Sequence, residues 1–150
     1  MTYFEIIENI KGFLKTKTDI LQLDIQEGTS RTPDEIELNE ERGCVVISYA
    51  GSPNSEILGY NIENKIRNIA QQKETLNFMI MVGYRTIVDP NNSFYKIVEF
   101  VKENLNGYDV QGLEAFVLIN NQEPKLVKNN WWLFMRFQTR MINVIRVHSG

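Results

Sequence analysis

Apolar positions recur along this chain with two periods, and each change of period marks a new element. Near the start, Tyr3, Ile6, Ile7, Ile10, Phe13 and Leu14 recur at three- and four-residue intervals, which places them on one face of an amphipathic helix. Gly12 weakens that helix modestly, and Glu8 with Lys11 offers a surface pair at helical spacing. From Ile20 to Gln26 the period drops to two: Leu21, Leu23 and Ile25 share one face, and Gln22, Asp24 and Gln26 the other. That alternation predicts a half-exposed strand at a sheet edge. Residues 28–42 are polar, acidic and interrupted by Pro33, which predicts a long connection in which Glu35 to Leu38 forms a short strand or a turn. Cys44 to Ala50 is apolar on both faces and stops at Gly51-Ser-Pro-Asn, the pattern of a central strand covered on both sides and ended by a turn.

Between Glu56 and Lys73, Ile62, Ile66 and Ile69 have helical spacing within a polar stretch. From Thr75 to Arg85 the alternation is clear, with Leu76, Phe78, Ile80, Val82 and Tyr84 on one face and Asn77, Met79, Met81 and Arg85 on the other, so a long strand is expected. A second helix follows. Asp89 suits the N-cap, Pro90 the first helical position, and Phe94, Ile97, Val98, Val101 and Leu105 the buried stripe, with Gly107 supplying a left-handed end. Strands are expected at Leu113 to Asn120 and Lys125 to Lys128, joined by an Asn-Asn-Gln-Glu-Pro turn. Trp131 to Val147 then reads as one long strand or as two around a bulge near Thr139. No internal repeat, low-complexity segment or flexible linker divides residues 1–150, so a single domain is expected.

Composition changes this picture little. With 150 residues, 43% hydrophobic and 23% charged, the chain can bury one core without disulfides or a structural metal. Its single cysteine, Cys44, lies in a β-branched apolar run, where a buried inert thiol is expected. The amino terminus lacks the basic start and apolar core of a secretory signal, and no apolar run is long enough for a membrane span. The expectation is therefore a soluble protein without a membrane partner. A net charge of −3 and a pI near 5.3 oppose nucleic-acid binding driven by overall charge.

The charge is unevenly placed, however. Between Asp19 and Glu41 stand Asp19, Asp24, Glu27, Asp34, Glu35, Glu37, Glu40 and Glu41 against Arg31 alone, whereas from Asn121 onward Lys125, Lys128, Arg136, Arg140 and Arg146 face only Glu123. A solvated loop and ordinary surface cations account for this. So would complementary patches meeting between neighbouring copies of a head-to-tail ring.

Candidate chemistry is sparse. None of the nine glycines is arranged as a phosphate loop, and one cysteine with one histidine cannot make a zinc site. His148 lies two residues from the end of the sequence, and Ser48 and Ser52 flank Gly51 without forming a nucleophile elbow. Glu35, Glu37, Glu40 and Glu41 could supply paired carboxylates but suit a solvated loop better. The last strand offers more. Trp131, Leu133, Met135, Phe137 and Met141 form its expected core face, and Trp132, Phe134, Arg136, Gln138 and Arg140 the other. Aromatics mixed with arginines are enriched at protein interfaces, although a nucleic-acid-binding sheet can show the same alternation.

In order, Val45-Val-Ile-Ser-Tyr-Ala-Gly51, the strand finishing at Tyr84-Arg85, Phe94-Tyr-Lys-Ile-Val-Glu-Phe-Val-Lys-Glu-Asn-Leu-Asn-Gly107 and Trp132-Leu-Phe-Met-Arg-Phe-Gln resemble the tail-terminator proteins of Mu-like contractile-tail phages. The resemblance covers roughly Gly43 to Val147. The acidic connection from Gly28 to Glu41 and the Asn- and Gln-rich stretch from Gly51 to Gln72 depart from the family pattern. The resemblance implies a single α+β domain, a mixed and mainly antiparallel sheet flanked by two main helices, and, as the alternative to the helical spacing there, an extended hairpin or arm between residues 56 and 73. It also implies a non-enzymatic, cofactor-free assembly part: a hexameric ring capping the tail tube, with tube protein, sheath protein and a head connector or cap as partners. Such a protein would pass from the cytoplasm of the producing bacterium to a virion tail or contractile injection particle. The contact surfaces expected from sequence are Trp132, Phe134, Arg136, Gln138, Arg140, Arg85, Glu35, Glu37, Glu40 and Glu41. A monomeric α+β domain binding a small molecule or nucleic acid is the alternative.

Overall fold

A computed structural model of the chain describes residues 2–17, 23–29, 31–38, 42–52, 55–59 and 69–146. Helix α1 (Tyr3–Thr16) opens with a Thr-x-x-Glu capping box: the Thr2 hydroxyl accepts from the Glu5 N–H, and the Glu5 carboxylate accepts from the Thr2 N–H, both at 3.1 Å. Two otherwise orphaned donors are thereby satisfied. Strand β1 (Leu23–Glu27), a 3-10 turn (Pro33–Glu35), strand β2 (Gly43–Gly51) and strand β3 (Ser55–Gly59) follow. The chain continues through β4 (Ile69–Tyr84), α2 (Ser93–Leu105), β5 (Val117–Asn121), β6 (Lys125–Val127) and β7 (Asn130–Arg146).

The strands form one seven-stranded sheet in the order β1-β2-β4-β7-β5, with β3 added beside β4 and β6 beside β7. β1 runs parallel to β2 and every other pair is antiparallel. The α+β class and the mixed, mainly antiparallel sheet with two helices are as the sequence led us to expect. β1 is the edge strand its alternation predicted, although Ile20, Leu21 and Gln22 lie outside the described residues.

Both helices cover one face of the sheet. Ile6, Ile7, Ile10 and Leu14 of α1 and Phe94, Ile97, Val98, Val101 and Leu105 of α2 pack on Val45, Ile47, Leu76, Phe78, Ile80, Val82, Leu133, Met135 and Phe137. The period-two positions of β4 thus supply the main core. On the opposite face the crossover from β1 to β2 passes over one end of the sheet, burying Ile36, Cys44, Val46, Met81 and Trp132 as a second, smaller cluster. β2 is consequently covered on both sides only from Gly43 to Ile47, and Ser48 and Tyr49 are half-exposed.

The start of α2 differs from the sequence reading, and two alternatives that reading left open are decided. α2 begins at Ser93 rather than Pro90, because Asp89, Pro90, Asn91 and Asn92 form a turn closed by Asn92 N–H to the Asp89 carbonyl (3.2 Å). The N-cap is therefore Asn92 and not Asp89, although the Asp89 carboxylate accepts from the Ser93 N–H at 2.8 Å. Residues 36–38 form no strand, since the 3-10 turn turns Ile36 inward instead. β7 is unbroken: it pairs with β4 from Tyr84↔Trp131 to Ile69↔Arg146 without a shift, and the irregularity falls in β5 between Leu118 and Asn120. Of the open stretch from 56 to 73, Ser55–Gly59 and Ile69 onward are extended and paired. Ile62 and Ile66 lie outside the described residues.

Candidate interface surfaces

The sheet face opposite the helices collects the side chains that sequence singled out. Register places its residues in rows across the strands: Cys44, Gly83 and Trp132; then Val46, Met81 and Phe134; then Ser48, Met79, Arg136 and Asn120; then Asn77, Gln138 and Val117; then Thr75 and Arg140. The crossover covers the first two rows; beyond them Asn77 is buried, Ser48, Met79, Thr75 and Gln138 are half-buried, and Arg136, Asn120, Val117 and Arg140 are exposed.

Trp132 therefore does not belong to an exposed interface. It is 0% exposed, because the crossover lies over it and because its partner across the ladder is Gly83. A Cβ on Gly83 would stand 2.6 Å from the indole ring, so the ring lies flat on bare backbone. Its Nε1–H finds no acceptor among the described residues, which leaves packing to hold it. Phe134 is half-buried beside the same cluster.

Arg136 is exposed and borders a small recess with Met79, Asn120, Gln122 and Phe134. Gln138 is half-buried and donates to the Asn77 side chain at 3.5 Å. Arg140 lies further along, its Nε 4.0 Å from Glu114, whose other carboxylate oxygen holds Lys73 at 2.7 Å. Arg140 is thus already partnered within the chain. Arg85 is exposed just past the end of β4, roughly 30 Å along the strand from the row of Thr75 and Arg140.

The acidic connection behaves differently from a free loop. Glu35 lies in the 3-10 turn, its carboxylate 3.4 Å from the Thr32 N–H, and Glu37 is exposed beside it. The two flank Ile36, which is buried against Trp132. Lys128, in the turn between β6 and β7, donates to the Asp34 carbonyl at 3.5 Å. The Thr32 hydroxyl holds the Asp34 carboxyl below its usual range, with Lys128 adding to the effect. Here the acidic and basic parts of the sequence meet within one subunit, so that contact does not require a neighbouring copy. Glu40, Glu41 and His148 lie outside the described residues.

Phe134, Arg136, Gln138 and Arg140 thus follow one another on one face, Arg140 engaged by Glu114; Trp132 and Arg85 do not share that surface. Sequence reading missed the apolar extension of this surface toward β5, where Val117 on the same face and Ile119 at the irregularity are 56% and 48% exposed; Leu126, 57% exposed, pairs with Trp131 and lies on the helix face. The available signal was Phe116-Val-Leu-Ile119, apolar at consecutive positions in what proves to be an edge strand.

Among the described residues no group of three or more His, Cys, Asp or Glu side chains could hold a metal ion, and no helix is long and apolar enough to cross a membrane. Cys44 is buried, and desolvation pushes its thiol up to about 12. The open patch offers a cation, amides and apolar surface, a combination suited to holding another macromolecule.

No protein-family model matches the chain, and no curated protein matches it. A search of solved structures returned a chain from the virion of a native gene transfer agent particle. It is 11% identical, with a TM-score of 0.49, over 93% of this chain and 91% of that one.

Proposed function

We propose that this protein is a structural assembly part of a phage-like particle, a tail terminator whose copies close into a hexameric ring on the end of a tail tube. The observation that carries the reading is the succession of elements in which the sequence resembles such proteins. Those segments are the strand ending at Gly51, the long strand ending at Tyr84, the helix closing on Gly107 and the terminal aromatic strand. They fold here as one sheet with both helices on a single face. That arrangement leaves the rest of the opposite face, with Arg136 at its centre, available for contact.

In this reading the protein works by complementary surface and needs neither a catalytic centre nor a cofactor. Lateral self-contacts close the ring, one rim meets the tube protein, and the other meets the sheath, a head connector or a cap. A heterologous contact repeated around an axis closes only at the right rotation, so ring size is a property of the subunit interface. The test is to mix the purified chain with tube protein encoded beside it and image the product. Rings at tube ends and arrested tube growth support the reading; a chain that leaves tubes bare and growing refutes it.

A further inference from the structure

β4 and β7 run on together well past the main core. Leu76, paired with Thr139, is the last core position on β4, and the ladder continues for seven more pairs to Ile69↔Arg146, an extension of roughly 20 Å. On its other side β7 is paired by β6 at Asn130 to Trp132, by β5 at Met135 to Gln138 and by a single bridge from Leu113 to Met141. Beyond Met141 no described strand pairs with that edge. The Phe134 carbonyl accepts from Gln122 N–H (3.0 Å) and the Arg140 carbonyl from Glu114 N–H (2.9 Å). Even-numbered residues therefore turn their N–H and C=O groups outward, and the period carries this to Ile142, Val144 and Arg146. The segment is Ile142-Asn-Val-Ile-Arg146, strongly β-prone and without the proline, lysine or bulge that blunts exposed edges.

β1 presents a bare edge at the opposite side of the sheet. The Gly28 N–H binds the Ile47 carbonyl at 2.9 Å, so the even positions face β2, and Leu23 and Ile25 turn their backbone groups outward. Arg31 already covers the Glu27 carbonyl. β1 carries Asp24 and Glu27 with no base, and β7 beyond Thr139 carries Arg140 and Arg146 with no acid. Joining two β7 edges antiparallel over the free residues centres on Val144 and sets Ile142 of each copy against Arg146 of the other, a pairing without charge complementarity. β1 and β7 lie toward opposite sides of the sheet, so pairing one with the other is head-to-tail and can repeat.

We infer that the outer edge of β7 from Ile142 to Arg146 pairs with the outer edge of β1 in a second copy of this chain, extending the sheet from subunit to subunit. This rests on the ring reading and names the lateral contact within it. β1 and β7 point the same way in the sheet, so an axis along the strands makes the junction parallel.

Sedimentation equilibrium of the full chain over increasing concentration tests the contact. Val144→Pro deletes an outward N–H and none directed at β4, and should raise the half-assembly concentration about tenfold. Asp24→Arg and Arg146→Asp should each do the same, and their combination should restore assembly. The charge pair decides the matter if the proline variant melts early. Wild-type-like assembly by Val144→Pro that melts normally, or a double reversal as weak as either single one, overturns this contact and leaves the ring reading standing. A wild-type chain that stays monomeric or stops at a dimer also overturns this contact, whereas tubes left bare and growing overturn the ring reading itself.

Discussion

Replacing Gly83 by alanine probes the feature that most sharply divides the sequence reading from the fold. A Cβ at this position would meet three carbons of the Trp132 six-membered ring at 2.6, 2.7 and 2.8 Å, closer than carbon atoms approach without something moving. The indole cannot yield easily, since it is fully buried with Ile36, Cys44, Val46 and Met81. Removing glycine's freedom in the unfolded chain would favour the folded state by up to about 1 kcal/mol. Overpacking a well-filled site costs about 1–3 kcal/mol, so Gly83→Ala should be destabilising by about 1–2 kcal/mol net. At a urea dependence of about 1–3 kcal/mol per molar, the unfolding midpoint should fall by roughly 1 M. Trp132→Leu alone should also destabilise, by about 2–4 kcal/mol for the cavity it leaves. Combined with Gly83→Ala, its cost should be less than the sum by more than about 0.5 kcal/mol, because the added methyl enters vacated space. A Gly83→Ala midpoint at or above wild type, or strict additivity of the pair, would show that the indole does not lie against this backbone.

Arg136→Glu should leave urea stability within about 0.5 kcal/mol, since the residue is exposed, while weakening capture on tube ends in a pull-down; loss of folding would place the residue on the wrong face. Arg140→Glu would set a like charge beside Glu114, so its effect on assembly should be read only beside that of Arg136→Glu. The Asp89 carboxyl is held below its usual range, first by the Ser93 N–H. Its contribution to stability is therefore complete above the ordinary carboxylate value near 4 and is lost as pH falls through the lower folded value. Asp89→Ala should lower the thermal midpoint at pH 7 and flatten its decline in acid; an unchanged acid profile would refute the contact. Cys44, buried and with its thiol pushed up to about 12, should resist a thiol reagent at pH 8 in the native protein and react fully in denaturant.

The two helices, the central strand from Gly43 and the long strand through Thr75 were legible because their buried positions repeat with the period of the element itself. A one-sided helix or strand records its own burial in sequence, and Phe94 to Leu105 or Leu76 to Tyr84 does so without reference to anything distant. The start of α2 was less legible. Asp89 accepts from the Ser93 N–H across a turn, and a carboxylate suited to capping does not show how many residues precede the first helical one. The faces of the last strand show the limit most plainly. Its alternation separated Leu133, Met135 and Phe137 from Trp132, Phe134 and Arg136, and that division holds. What lies over each face is decided by other parts of the chain. Ile36 comes from a connection that reads as polar and acidic, and it closes over Trp132, whose ring is admitted by a glycine 49 positions earlier. The opposition of acidic and basic segments was written in the sequence, yet whether they meet within a chain or between chains depended on where the crossover runs, and at Asp34 and Lys128 it runs within. Periodicity reports that a side chain is turned to one side or the other. Burial depends on a second surface arriving there, and long-range contacts of that kind exist only once the sheet order is set.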